Sequence, residues 1–358
     1  MGAKKHLAGI ERTPADRTDR IRWIRLDKNE CTLELPPEVL DEIRSRIDPE
    51  FLACYPEVYQ LYDALSAHLR LPSEELLVTA GSDGAIRAAY DSFVEPGGEV
   101  VNLQPNFAMY DVYTRLYRGN PVDVYYHPET LALDLPAVLA AIGPRTSLVV
   151  LSNPNSPTGT EIPQEAVAAI AREAARHGAT VLVDEAYHPF SPATSLPLLS
   201  RFENLLVVRS LSKAFGLASA RVGFAAGNPA LIRAMGAFRP IYEVTSYGVL
   251  CATTILGRYD LVEQAVARIL GAKEWFAGRC RDTGIGVLPG AANFVNVMVG
   301  PGEPSRYVRL CRDAGILIRE GYPWGILADC IRVSVGREEH MESLHEVIRR
   351  GRDQGAMR

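Results

Sequence analysis

The chain has 358 residues, 47% of them apolar and 23% charged, proportions that exclude a disordered or collagen-like polymer and leave room for a sizeable core. A formal charge of −5 with acids and bases interspersed offers no basic stripe for nucleic acid or an anionic membrane, so small-molecule chemistry is expected. No apolar run approaches the roughly 20 residues of a membrane span, and the cysteines at 31, 54, 251, 280, 311 and 330 show neither CxxC nor Cys/His spacing, so no metal site or disulfide framework is signalled.

The first segment, "MGAKKHLAGIERTPADRTDR", is polar and lacks the apolar stretch of a secretory leader, which together with the cysteine usage predicts a reducing, cytoplasmic setting. Between about residues 75 and 230 short apolar, β-branched runs follow one another: "LLVTAGS", "EVVNLQP", "VDVYY", "SLVVLSNP", "TVLVDEAY", "LLVVRSLS" and "RVGFAAG". Bounded by Gly, Pro, Asn or Ser, they read as buried strands. Helical patterns lie between them, such as "PQEAVAAIAREAARHG" at 163–178, with acids near its start and Gly178 past its end. This alternation predicts an α/β domain with a mostly parallel sheet covered on both faces. After about residue 245 a long helical stretch leads into "NFVNVMVG", "SRYVRLCRDAG", "ILIREG", "CIRVSVG" and a last helix burying Met341, Leu344, Val347 and Ile348. That predicts a smaller α+β domain over 246–358 beside a large one over 46–245.

In open α/β sheets ligands sit beyond the carboxyl ends of the strands, and those ends are where the polar clusters fall. Ser82, Asp83 and Gly84 open a helix, whose free N–H groups and dipole favour an anion such as phosphate. Ser210, Ser212 and Arg221 add hydroxyls and a guanidinium. Phe107 offers a flat apolar face, Asp184 an acceptor for a protonated ring nitrogen, and Lys213 an amine able to condense with an aldehyde. Phosphate, aromatic ring, pyridinium and aldehyde together describe pyridoxal 5′-phosphate (PLP).

The ordered motifs "SPTG", "DEAY" and "SLSKAF", with Arg221 eight residues after Lys213, resemble the fold-type I PLP-dependent aminotransferases of class I/II, especially their histidinol-phosphate aminotransferase group, from "LDKNE" to "CIRVSVG". The resemblance implies a large domain with a mostly parallel seven-stranded sheet, a smaller α+β domain, and an N-terminal segment, 1–45, that contributes to the small domain and substrate site. It implies Lys213, Asp184 and Tyr187 as catalytic residues: the lysine joined to the cofactor, the partner of its ring nitrogen, and a donor to its ring oxygen. Phe107 would stack on the ring, and Ser82, Asp83, Gly84, Ser210, Ser212 and Arg221 would hold the phosphate. Tyr55, in "ACYPEVYQLYDAL", resembles the tyrosine that reaches the neighbouring subunit's phosphate, implying a homodimer. Arg332, Arg319 and Asn29 match substrate-binding positions, a guanidinium being suited to gripping a carboxylate or phosphate with two prongs.

The chain departs from the family's pattern in three places. Ser156 stands where the family usually has the asparagine that contacts the ring oxygen, so either Asn155 takes over or the contact weakens. Phe107 replaces a frequent tyrosine, and Cys31-Thr32 follow "LDKNE" in place of Asn-Pro. These changes touch the substrate wall more than the cofactor. The expected activity is ping-pong transfer of an amino group between an amino acid or amino phosphate and an oxo acid. The alternatives are a PLP-dependent decarboxylase of an amino acid phosphate, resembling the threonine-phosphate decarboxylases, and a noncatalytic phosphate-ligand-binding protein. Three other patterns read as structural. Asp184-Glu185 lacks the phosphate loop of a nucleotide hydrolase, with Glu185 structural; the glycines at 284, 286 and 290 precede a strand where a dinucleotide loop precedes a helix; His188 is a packing residue.

Overall fold

A computed structural model describes residues 5–7, 10 and 19–356; most of the polar stretch read for the absence of a leader lies outside the described residues. In chain order the strands are β1 (Ile24–Arg25), β2 (Leu76–Thr79), β3 (Glu99–Gln104), β4 (Asn120–Tyr125), β5 (Thr146–Ser152), β6 (Thr180–Asp184), β7 (Leu205–Ser210), β8 (Gly223–Gly227), β9 (Val287–Leu288), β10 (Phe294–Met298), β11 (Ile316–Leu317), β12 (Arg319–Glu320) and β13 (Cys330–Ser334). Each apolar run singled out between 75 and 230 forms a strand of one seven-stranded sheet, in the order β2-β8-β7-β6-β5-β3-β4. β4, β3, β5, β6 and β7 run parallel, and β8 is antiparallel to both β7 and β2.

Strand pleating explains why these runs lack polar alternation. Val149 and Leu151 of β5 face one apolar layer with Val181 and Val183 of β6. Leu148 and Val150 face the other layer with Leu182, Leu206 and Val208. Helices cover both: Gln164–Arg176 buries Val167, Ile170, Ala171 and Ala174 at helical spacing on the first, and Gly81–Phe93 buries Ala85, Ile86, Ala89 and Tyr90 on the second. Each Val or Leu removed from water here contributes about 1.5–3 kcal/mol, which makes the middle of the sheet a rigid base for its ends.

Chain direction across the sheet reverses between β3 and β5. From β5 the chain proceeds outward through β6 and β7, whereas β3 leads to β4 on the other side. Such a switch point opens a crevice where the two sets of loops part. Facing it is a four-stranded antiparallel sheet, β12-β13-β10-β9. β1 pairs in parallel with β11, so residues far apart in sequence meet at this side of the crevice. The predicted run "ILIREG" divides there, β11 joining β1 and β12 joining β13. In the last helix, Glu338–Ala356, Met341, Leu344 and Ile348 are buried while Val347 is half-buried. Gly284 takes φ +68 after the helix Tyr259–Asp282, and β9 follows where a dinucleotide loop would need a helix. Among the described residues no helix is long and apolar enough to cross a membrane.

Candidate active site

β6 ends on Asp184, buried under the crevice. Its Oδ2 accepts a hydrogen bond from the Tyr110 hydroxyl at 2.7 Å, and its Oδ1 accepts from the Ala186 N–H at 3.0 Å. Burial raises its pKa from 3.8 to about 6, because a carboxylate without water prefers to be neutral; the two donors hold the rise back. Tyr110 was not singled out in the sequence. Its signal is its position one helical turn after Phe107, whose carbonyl accepts from the Tyr110 N–H at 2.9 Å. Burial and the Asp184 charge push its hydroxyl well above the ordinary tyrosine range.

Lys213 follows β7 in a tight turn. Its Nζ donates to the Lys28 carbonyl at 2.7 Å, and burial lowers its pKa, as desolvation does to any cation. An amine that is more readily neutral is a better nucleophile and base. Tyr187 is buried with its ring edge-on to Phe294, centroids 5.6 Å apart. Its hydroxyl accepts from Asn29 Nδ2 at 2.8 Å. Asn29 itself has φ +53 and is held by Ser334, whose Oγ accepts from the Asn29 N–H at 2.7 Å and donates to Asn29 Oδ1 at 3.0 Å.

At the start of the helix Gly81–Phe93 the structure brings together the residues expected to hold an anion. Arg221, at φ +55, donates to Ser212 Oγ at 3.3 Å, and Ser210 Oγ accepts from the Ser212 N–H at 3.1 Å. The guanidinium lies so close to Gly81 that a Cβ there would stand 2.8 Å from Nη2. Gly223 is equally constrained, since its Cβ would meet Ser82 N at 2.4 Å. The Asp83 carboxylate accepts from the Tyr113 hydroxyl at 2.9 Å, while Ser82, Asp83 and Gly84 offer backbone N–H groups at the helix end.

On the opposite wall Arg332 donates to Ser156 Oγ at 3.4 Å and to the Asp27 carbonyl at 3.2 Å, with its guanidinium over the Phe294 ring. Burial lowers its pKa, and among the described residues no carboxylate pairs with it. Arg319 is its register partner across β12 and β13 and donates to the same Asp27 carbonyl at 3.2 Å, but is exposed. Asn155 Oδ1 accepts from the N–H and hydroxyl of Thr158 at 3.1 and 2.9 Å, and its side chain lies beside Tyr126. Ser156 is the one that meets Arg332.

Phe107 is 42% exposed, an open ring set edge-on to Tyr110 at 5.6 Å. Tyr55 stands apart from the other predicted residues, 72% exposed and stacked on Tyr242 with centroids 4.1 Å apart. Glu185 turns away from the crevice and pairs with Arg209 at 2.9 Å, so it makes no acidic pair with Asp184 for a metal. Burial lowers the His188 pKa to about 3, keeping it a neutral packing group. Among the described residues no cluster of His, Cys, Asp or Glu has the makings of a metal site.

Comparisons with known proteins bear on the family and the fold. The family profile described as "Aminotransferase class I and II" matches residues 21–348. A histidinol-phosphate aminotransferase of Ruminiclostridium cellulolyticum is 30% identical over 323 residues, covering 88% of this chain and 89% of that protein. One of Prosthecochloris aestuarii is 32% identical over 336 residues, covering 91% of each. The crystal structure of histidinol-phosphate aminotransferase from Sinorhizobium meliloti in complex with pyridoxal-5′-phosphate matches with a TM-score of 0.81 at 30% identity, covering 91% of each chain. A double mutant of Thermus thermophilus aspartate aminotransferase, at 23% identity and a TM-score of 0.80 over 98% of this chain and 99% of that one, shares the fold.

Proposed function

This chain belongs to the aminotransferase class I and II family, and from that premise we propose how its residues divide the work of a PLP-dependent aminotransferase. The groups fit the cofactor part by part. The helix end at Ser82, Asp83 and Gly84, with Ser210, Ser212 and Arg221, suits its phosphate; Phe107 suits one face of the ring, and Asp184 the ring nitrogen. Tyr187, with Ser156 beside it, suits the ring oxygen, and Lys213 the aldehyde. Asn155 steadies the loop through Thr158 and acts on the cofactor only through Ser156. The observation that carries this reading is that the crevice holds both a buried carboxylate, Asp184, fixed by Tyr110, and a half-buried, readily neutral amine, Lys213, fixed by the Lys28 carbonyl.

When bound, the cofactor supplies a protonated ring that accepts the electron pair released at the substrate α-carbon. The chain supplies the rest. Asp184 in its charged form keeps the ring nitrogen protonated, a state its burial otherwise opposes and a nearby cation restores. Tyr110 holds that carboxylate in place. The Lys213 amine takes the α-proton and returns it to the cofactor side, a general base and then acid positioned by the Lys28 carbonyl. Arg332, without a carboxylate of its own, receives the substrate's carboxylate or phosphate, with Arg319 and Asn29 alongside. Two substrates with different tails use this anion site in turn, as ping-pong transfer requires.

The same proposal makes the enzyme a cytoplasmic homodimer in which Tyr55 reaches the neighbouring subunit's phosphate site. Its chain divides at 1–45, 46–245 and 246–358, the first segment serving the small domain and the substrate site. Tyr55 and Tyr242 form an exposed aromatic pair, the kind of surface a partner covers. The test is a screen of amino donors, histidinol phosphate and glutamate first, read by conversion of the bound cofactor to its amine form and by the oxo product. Release of carbon dioxide without that conversion replaces transfer with decarboxylation. No change with any donor, from protein whose cofactor borohydride fixes to Lys213, leaves a binding protein.

A further inference from the structure

Beyond Phe107 the structure gathers an acidic patch edged by aromatic side chains that none of the assigned roles uses. Phe107 leads into the helix Met109–Leu116, whose first turn carries Asp111. Gln104, at the end of β3, divides its Nε2 between Asp111 Oδ1 at 3.1 Å and Asp123 Oδ1 at 3.2 Å, drawing two carboxylates together. Among the described residues neither is in an ion pair; Arg115, a turn further along the helix, is exposed and acts on Asp111 only through its field. Tyr322, three residues beyond Arg319, feels both charges. Trp324 lies against Tyr125, centroids 4.5 Å apart.

The amides beneath are starved of partners. Asn106 is 6% exposed and its amide addresses Asp111, while its Oδ1 is without a hydrogen bond. Asn102, wholly buried and directly across the ladder from Asp123, is unpaired at both side-chain atoms. Buried amides without partners are costly, and the half-buried Asp111 and exposed Asp123 leave negative charge beside them without a cation. A ligand that is positively charged and rich in N–H donors answers both deficits, and aromatic faces such as Tyr125 and Tyr322 favour the same charge.

We propose that this patch receives the cationic end, a guanidinium or primary ammonium, of an amino substrate whose carboxylate rests on Arg332. The inference rests on the proposed anion role of Arg332 and narrows the substrate to α-amino acids with a basic tail. Asp111 and Asp123 take the prongs of a planar guanidinium, and the run from Arg319 to Tyr322 connects the two ends of the molecule on one wall.

Titration calorimetry on the PLP-loaded enzyme tests this with three ligands that have no amine to transfer: 5-guanidinopentanoate, its neutral isostere 5-ureidopentanoate, and pentanoate. The guanidino acid binds about tenfold or more tighter than the ureido acid, as charge-assisted hydrogen bonds imply. Asp111→Asn and Asp123→Asn each reduce that ratio toward one while pentanoate affinity holds, and the cofactor absorbance shows that both variants are folded. Equal affinity for the guanidino and ureido acids, or a ratio that survives both substitutions, overturns the proposal. So does failure of all three to bind, which also removes the carboxylate from Arg332. Because no amino transfer is involved, these outcomes are independent of the donor screen.

Discussion

In the middle of the seven-stranded sheet Leu148, Val149, Val150 and Leu151 alternate between two apolar layers, each fully or almost fully buried. The next residue of the same strand is Ser152, and the neighbouring strand ends on Asp184; both are as buried, yet polar. Over one residue the strands pass from groups that burial stabilises to groups that burial strains. In the middle, sequence and stability agree. At the edge, a carboxylate is held in a place that raises its pKa to about 6 and an amine in one that lowers its own, because chemistry needs those charges to be easily exchanged. Substitutions in the two regions should therefore move stability and activity in opposite directions.

The largest separation is expected at Lys213. Lys213→Ala removes the proton carrier, and amino transfer should fall by about 10⁴-fold while thermal unfolding still shows a folded, cooperative protein. A variant that keeps more than a hundredth of the rate would break the assignment. Asp184→Asn comes next, with a change of sign. Lifting an acid from 3.8 to about 6 corresponds to roughly 3 kcal/mol of strain in the ionised form, so at pH 8 the cofactor-free variant should be more stable than the parent by up to that amount. Its transfer rate should drop about 10²–10³-fold, because the ring nitrogen loses its counter-charge. Chemical denaturation with and without the cofactor measures both. Leu151→Ala, in the middle of the sheet, should do the reverse: lose about 2–5 kcal/mol of stability with little change in rate per folded molecule.

The same contrast decides what was legible in the sequence. Every strand of the large sheet was readable, since runs such as "SLVVLSNP" obey a simple rule of burial. Asp184, Tyr187 and Lys213 stood out because each lies at or just beyond the end of such a run, and Arg221 because it follows Lys213 by eight residues, in an order resembling a known family. Tyr110 was not, because one tyrosine on a helix looks like core until its hydroxyl is seen against Asp184. The carbonyls of Asp27 and Lys28, which receive Arg332, Arg319 and Lys213, carry no residue-type signal at all. The side-chain choice between Asn155 and Ser156 likewise depends on a loop in which Asn155 is already committed to Thr158. That the Asp83 side chain is held by the Tyr113 hydroxyl was not legible either, since the sequence read only the N–H groups of that helix end.

Tyr110 allows the smallest but most direct check on this account of the edge. Tyr110→Phe keeps the buried ring and deletes only the donor to Asp184, whose other hydrogen bond, from the Ala186 N–H, remains. In the cofactor-free parent the folded state holds the Asp184 proton to about pH 6 while the unfolded chain releases it near 3.8. Stability is therefore lost as pH rises between those values and stays level above them, as far as this group is concerned. Without the hydroxyl the folded pKa rises further, so the decline continues above pH 6 and the loss at pH 8 grows by about 1–3 kcal/mol. Denaturation of the cofactor-free pair from pH 4 to 8 distinguishes this from a packing defect, which lowers the curve equally at every pH. If the two curves run parallel, Tyr110 supports the fold alone and the carboxylate's charge is not its concern.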